Sequence, residues 1–182
     1  LRESEATKTF FAPDDPFNDA IEHLYQLKFK AVLDGVGYRN MADLIVVNYE
    51  KKKVFPLDLK TSSHTEWDFQ ESFCQWQYMI QARLYWRIIR ANMDNDSYFK
   101  DFSLENYRFI VVNRKTLTPL VWDCSFTFHR GTVILGKNKQ IELRDPEEIG
   151  KELSYYLSSR PAVPMDIDNI GSNDLSTWLN KL

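Results

Sequence analysis

The chain is short of cysteine, has no long apolar run and carries no excess of positive charge. Its two cysteines, Cys74 and Cys124, make neither a zinc site nor an iron–sulfur cluster. Nor do they suggest a disulfide framework, so reduced thiols and a cytoplasmic setting are expected. No stretch approaches the ~20 apolar residues of a membrane span, and no charged-then-apolar leader opens the sequence. A membrane is therefore not an expected partner. The sequence opens on Leu1 rather than Met, and the expectation is that an N-terminal portion is missing. A formal net charge of −3 argues against a nucleic-acid binder held by bulk charge, although a local basic rim or a bound cation still attracts phosphate.

What is present describes a globular domain. Over 182 residues, 43% hydrophobic and 14% aromatic content is enough for a sizeable core. Residues 1–182 are expected to form one domain, with 161–182 as a tail behind Pro161 and Pro164. Asp15-Pro16 reads as a helix start, followed by Phe17, Ala20, Ile21, Leu24 and Leu27 at helical spacing; this helix carries Glu22 and His23. Residues 28–36 read as a strand ending in the turn-prone pair Asp34-Gly35, and residues 41–49 as another, reached through a link at 37–40. A helix is expected over residues 67–93, with Phe69, Phe73, Trp76, Ile80, Leu84 and Ile88 as its apolar stripe. Cys74, Tyr78, Gln81 and Tyr85 share a neighbouring stripe, and Arg83, Arg87 and Arg90 form a basic line read as a solvated face or a partner surface. Strands follow at 107–112 and 117–122, with further strand material at 126–128, 131–135 and 140–143. A last helix starts at Asp145-Pro146, with Glu148 set for a capping box. This order of elements predicts an α/β fold with a mixed central sheet flanked by helices. Gly131, Gly136 and Lys137 match the spacing of a phosphate loop, but Asn138 stands where that loop needs Ser or Thr, so no nucleotide cofactor is expected.

Three charged residues stand out among apolar neighbours: Asp43, Asp58 and Lys60. A charge in a half-buried strand is costly unless it is paired or holds a metal. Side chains alternate along a strand, so Asp58 and Lys60 share a face, ~7 Å apart. If 43–49 and 54–60 form a hairpin with Tyr49 opposite Val54, then Ile45 faces Asp58 and Asp43 faces Lys60, and all three converge. A two-residue turn at Lys51-Lys52 keeps this arrangement, whereas a three-residue loop sends Asp43 to the other face. Two carboxylates beside a lysine suit a hard cation such as Mg²⁺, which takes carboxylate oxygens, keeps several waters and leaves room for a phosphate. A plainer structural reading also fits: an ion pair on a sheet edge, marked by Pro56, with Asp43 in a turn.

At these residues the sequence resembles the PD-(D/E)xK nuclease superfamily. Asp58-Leu59-Lys60 matches the D/E-x-K half, Asp43 matches the isolated first Asp, and Ala42 stands where the family name has Pro. Gln81-x-x-x-Tyr85 is similar to the helical motif of the RecB-like and phage exonuclease VIII-like branch. The resemblance spans roughly residues 20–122. It implies a restriction-endonuclease-like core and a metal-dependent DNA nuclease, an exonuclease of phage or phage-derived recombination type acting at duplex ends. It implies Asp43 and Asp58 as ligands of Mg²⁺, with Mn²⁺ as a substitute, and the Leu59 carbonyl as a further ligand. Lys60 would orient the nucleophile, and Gln81 and Tyr85 would support the site. An upstream helix in the superfamily often donates a Glu or His, which points to Glu22. Asp34 is the fallback for the first ligand, and His64 a remote candidate for a phosphate contact. Lys51, Lys52 and Lys53 offer a basic hairpin tip. A homo-oligomer or a recombination partner protein stays open. The rival reading is a catalytically silent nucleic-acid-binding or assembly module on the same fold.

Overall fold

A computed structural model describes residues 1–12, 20–63, 68–127, 130–135 and 139–159. The chain divides into two units, Leu1–Lys151 and Glu152–Leu182, and every contact discussed below lies within the first. The expected start at Asp15-Pro16, the loop histidine His64 and the tail lie outside the described residues.

The fold is α/β, with a mixed sheet. Strands β1 (Ile21–Leu33), β2 (Val36–Asn48), β3 (Lys53–Ser62), β5 (Tyr107–Asn113) and β6 (Pro119–Cys124) lie side by side in that order, and the short β4 (Ser103–Leu104) also pairs with β3. β1, β2 and β3 run as an antiparallel meander, while β3 pairs in parallel with both β4 and β5. Parallel neighbours need a crossover. Here it is supplied by helices α1 (Phe69–Gln75) and α2 (Tyr78–Asn95). A separate hairpin of β7 (Gly131–Leu135) and β8 (Lys139–Leu143) precedes helix α3 (Pro146–Ser159). No helix among the described residues is long and apolar enough to cross a membrane.

The core lies between the sheet and the α1–α2 crossover. Phe69, Phe73, Met79 and Ala82 pack with Tyr107, Phe109 and Val111 of β5, and Ile89 and Met93 with Ile45, Val47 and Val54. Truncating a ring such as Phe73, which is fully buried, to alanine costs about 3–5 kcal/mol. The opposite face is covered by Phe11, which packs on Leu44, Val46, Leu57 and Ile110. Two side-chain bonds fasten α2 in place. Trp86 Nε1 donates to the Glu105 carbonyl at 3.0 Å and Asn92 Nδ2 to the Lys30 carbonyl at 3.0 Å.

Four expectations are corrected. First, residues 21–27 are strand, not helix. Leu24 and Leu27 do face the same core, but the three-residue spacing arises because Gln26, with φ 51°, interrupts the alternation of β1. Second, residues 37–40 are not a link; β2 runs unbroken from Val36. Third, the long helix is two helices, because Gln77 adopts φ 51° and stops α1. The restart re-phases the chain, leaving Trp76 64% exposed instead of in the stripe. Fourth, Arg83 and Arg87 are not solvated. Arg83 is 1% exposed, and Arg87 Nη1 lies 2.7 Å from Asp145 Oδ1 and 2.6 Å from Glu147 Oε1. Arg90 pairs with Asp94 at 2.5 Å.

Candidate active site at the splay of β2 from β3

The β2–β3 register is Asn48↔Lys53, Val47↔Val54, Val46↔Phe55, Ile45↔Pro56 and Leu44↔Leu57. The turn therefore spans residues 49–52, two longer than expected, with Lys52 at φ 48°. A shift of two leaves the side chains of the paired residues, 44–48 and 53–57, on their expected faces. One pair further, Asp43 comes level with Asp58 rather than with Lys60. The pairing, however, stops at Leu44↔Leu57, while β3 continues along β5 to Ser62↔Asn113. β2 thus leaves β3 where the carboxylates meet. The departure is marked in both β1 and β2. Ala42 and Ile45 face one core while Leu44 faces the other, a break in alternation beside the one at Gln26.

Into this gap reaches Asp43. Its Oδ2 accepts the backbone N–H of Leu59 at 2.9 Å, the donor that a continued ladder would have given to Ala42. Within a strand a residue's N–H and C=O point to the same side, so the Leu59 carbonyl also opens on the gap. Pro56 does not mark an edge. β3 is central, and the missing N–H of Pro56 falls between its pairing with β4, at Lys53–Val54, and with β5, from Leu57 onward, where no ladder bond is lost.

Asp58 is 3% exposed. Its Oδ2 lies 2.6 Å from Lys60 Nζ, and its Oδ1 accepts from Gln81 Nε2 at 2.6 Å. Lys60 is held in turn over the rings of Tyr78 and Phe109, 5.1 and 5.6 Å from their centroids, a cation–π setting. Burial pushes the Asp58 carboxyl above its usual range; Lys60 opposes this, Asp43 adds to it, and Gln81 opposes it. Tyr85 is half-buried one helical turn beyond Gln81. Burial first, and then the Asp58 and Asp43 charges, raise its phenol. Asp43, Asp58, Lys60, Gln81 and Tyr85 are thus brought together.

Glu22 is not part of this group. It sits level with Val47, four residues or roughly 13 Å along the strand from Asp43, and accepts a hydrogen bond from the Tyr49 hydroxyl. Asp34 lies in the β1–β2 turn and pairs with Lys151 at 2.5 Å. Lys51 and Lys52 occupy the turn at the far end of β2 and β3, and Lys53 pairs with Glu105 at 2.8 Å. Sequence reasoning missed Tyr78 as a cradle for Lys60, and it missed Tyr107. The latter is fully buried beside Tyr85, ring centroids 6.1 Å apart. Its hydroxyl has no hydrogen-bond partner among the described residues, and burial, then Asp58, raises it well above the usual phenol range. Only the parallel pairing of β5 with β3 brings Tyr107 here, and no local motif announces that.

Among the described residues, no three His, Cys, Asp or Glu side chains group as a metal cage. Two carboxylates and a carbonyl opening on one gap still suit Mg²⁺, which keeps several waters and is often bound through one or two carboxylates. No protein-family model matches the chain, and no curated protein matches it.

Proposed function

We propose that the chain is a metal-dependent nuclease with a restriction-endonuclease-like core, hydrolysing DNA phosphodiesters where β2 leaves β3. The reading extends to an exonuclease of phage or phage-derived recombination type acting at duplex ends. The observation that carries it is the state of Asp58: a buried carboxylate facing Asp43, with one lysine as its counter-charge. Such a pair has unmet demand for a cation. Asp43, Asp58 and the Leu59 carbonyl would hold Mg²⁺, with Mn²⁺ able to replace it. When bound, the ion supplies Lewis acidity, polarising phosphate oxygens and lowering the pKa of water.

The chain's own residues do the rest. Gln81 fixes Oδ1 of Asp58 and so sets the carboxylate plane, leaving Oδ2 toward Lys60. The Lys60 ammonium, steadied over two rings, donates to a non-bridging phosphate oxygen and offsets the charge that builds in the transition state. Asp43, anchored on the Leu59 amide, faces it across the gap. Tyr85 and Tyr107 exclude bulk water from behind the carboxylates. Water adds across one P–O bond, and the departing sugar oxygen takes up a proton.

The test is cleavage of end-labelled linear and closed circular duplex DNA with Mg²⁺, Mn²⁺ or chelator, beside Asp58→Asn. Metal-dependent loss of linear DNA alone, absent in the variant, is the expected result. Well-folded protein that cleaves neither substrate would overturn the reading. It would favour instead a silent nucleic-acid-binding or assembly module, for which the two-carboxylate set, with no third acidic side chain grouped there among the described residues, already speaks.

A further inference from the structure

One face of α2 lies over the candidate site. Tyr78, Gln81 and Tyr85 stand at i, i+3 and i+7, a spacing that puts them on one side of a helix. Gln81 meets Asp58 and Tyr78 meets Lys60, so α2 runs against the direction of β3 and matches it group for group. Tyr78 is the first residue of α2, directly after Gln77, whose φ of 51° ends α1. A residue other than glycine is uncommon in that conformation, and here the turn it makes is followed at once by a ring over an ammonium.

The ring is held from behind. Tyr78 stacks on Phe69, centroids 6.2 Å apart and planes 23° apart, and meets Phe73 at 6.4 Å and Phe109 at 5.5 Å. All three partners are buried, so the core fixes the plane of the Tyr78 ring. Lys60, by contrast, is a point charge on a flexible four-carbon stem. Two kinds of contact hold its end. Asp58 Oδ2 lies 2.6 Å from Nζ, and the ring centroids of Tyr78 and Phe109 lie at 5.1 and 5.6 Å, within the ~6 Å at which a ring face attracts a cation. A divalent cation at Asp58 would compete with the ammonium for the same carboxylate. The rings carry no charge to share and keep their hold.

We propose that Tyr78 is a positioning residue for Lys60: its ring keeps the ammonium at the site when the Asp58 charge is shared with a second cation. The consequence for turnover rests on the nuclease reading above; the hold on the ammonium does not. The face of the ring makes the contact, so phenylalanine should serve in its place and an aliphatic side chain should not.

The experiment is NMR of the full chain labelled with ¹³C-lysine, in chelator and in Mg²⁺, with the Lys60 signals identified by their loss in Lys60→Arg. Protons over the face of an aromatic ring are shielded, so the Lys60 ε-methylene should resonate upfield of the other lysines and stay there in Mg²⁺. Tyr78→Phe should keep that position, and Tyr78→Leu should lose part of the shift, the remainder being due to Phe109. A wild-type Lys60 signal among the ordinary lysines would overturn the proposal, a result that needs no variant to fold. In cleavage, Tyr78→Leu should lower kcat on the order of 10-fold with little change in KM, and Tyr78→Phe should match the wild type. Mn²⁺ should bind Tyr78→Leu no more weakly than the wild type, because the ring touches neither carboxylate and a loosened ammonium competes less. Mn²⁺ affinity falling together with kcat would mark a general collapse of the site and overturn a positioning role, as would full activity in Tyr78→Leu. The expected spectra without cleavage by the wild type would support the hold on Lys60 and remove the nuclease reading.

Discussion

Asp58 and Asp145 are buried to nearly the same degree, 3% and 7% exposed, and each lies close to a cation, Lys60 at 2.6 Å and Arg87 at 2.7 Å. Their acidities nevertheless move in opposite directions. Burial would raise Asp145, but the Arg87 guanidinium, the Glu147 amide and Arg130 outweigh it and bring the carboxyl below its usual range. Arg87 reaches both Asp145 oxygens, at 2.7 and 3.1 Å, and the Glu147 N–H donates to Oδ1 at 3.0 Å. Among the described residues Asp58 has one lysine and one amide donor and it faces a second carboxylate, so burial prevails and its carboxyl is raised. Depth of burial does not separate the two; the count of compensating partners does. One cluster is complete and ties the start of α3 to α2. The other is short of positive charge, and the proposed cation would make up the difference.

The widest separation between the two clusters should appear in turnover. Lys60→Ala is expected to lower DNA cleavage on the order of 10²-fold or more while far-ultraviolet circular dichroism stays native. Arg87→Ala, measured per folded molecule, is expected to cleave as the wild type does. Near-normal cleavage by Lys60→Ala would erase the distinction. Stability should separate them the other way. Arg87→Ala strands Asp145 and Glu147 in a part-buried setting and should cost about 3 kcal/mol in urea unfolding. Lys60→Ala removes one ion pair where Arg87→Ala breaks two, and should cost less; equal losses would erase the contrast.

A third contrast lies in pH. The folded Asp58 carboxyl is raised, so its contribution to stability is present below the unfolded carboxylate range, near pH ~4, and is lost as pH rises through the folded value. The folded Asp145 carboxyl is depressed, so its contribution is present above that range and is lost as pH falls through the folded value. Melting temperatures should show Asp58→Asn gaining on the wild type as pH rises above about 4, and Asp145→Asn gaining on it as pH falls below about 4. Parallel profiles would mean that the two carboxylates are not differently compensated. The smallest effect is expected at Gln81. Its hydrogen bond lowers the Asp58 carboxyl, so Gln81→Ala should shift the acid limb of the cleavage profile upward and reduce turnover by about 10-fold or less. An unmoved acid limb would separate Gln81 from the site.

Much of the site was legible because strand periodicity tolerates error in steps of two. The turn at residues 49–52 is longer than the Lys51-Lys52 reading by two residues, and Asp43, Asp58 and Lys60 still fall together. Gln81 and Tyr85 were named through the resemblance of Gln81-x-x-x-Tyr85 to a family motif, and they share a helix face because four residues make about one helical turn. The failures came where local pattern has two physical causes. Leu24 and Leu27 are spaced like a helix face, yet a single left-handed residue, Gln26, gives the same spacing in a strand; this moved Glu22 away from the site. Pro56 suggested an edge because nothing local shows that β4 and β5 leave a gap opposite it. Arg87 read as part of a solvated face because its acidic partners, Asp145 and Glu147, lie some 60 residues away, at the start of α3. Tyr107 enters the site only through parallel pairing, which is long-range by nature.

In the proposed function a divalent cation completes the cluster of Asp43 and Asp58. Calorimetric titration with Mn²⁺, alongside thermal unfolding in its presence, tests this without any nucleic acid. Saturable binding is expected that raises the melting temperature, is lost in Asp43→Asn and in Asp58→Asn, and is kept in Asp145→Asn. Absence of binding, or binding that survives in Asp58→Asn, would contradict it.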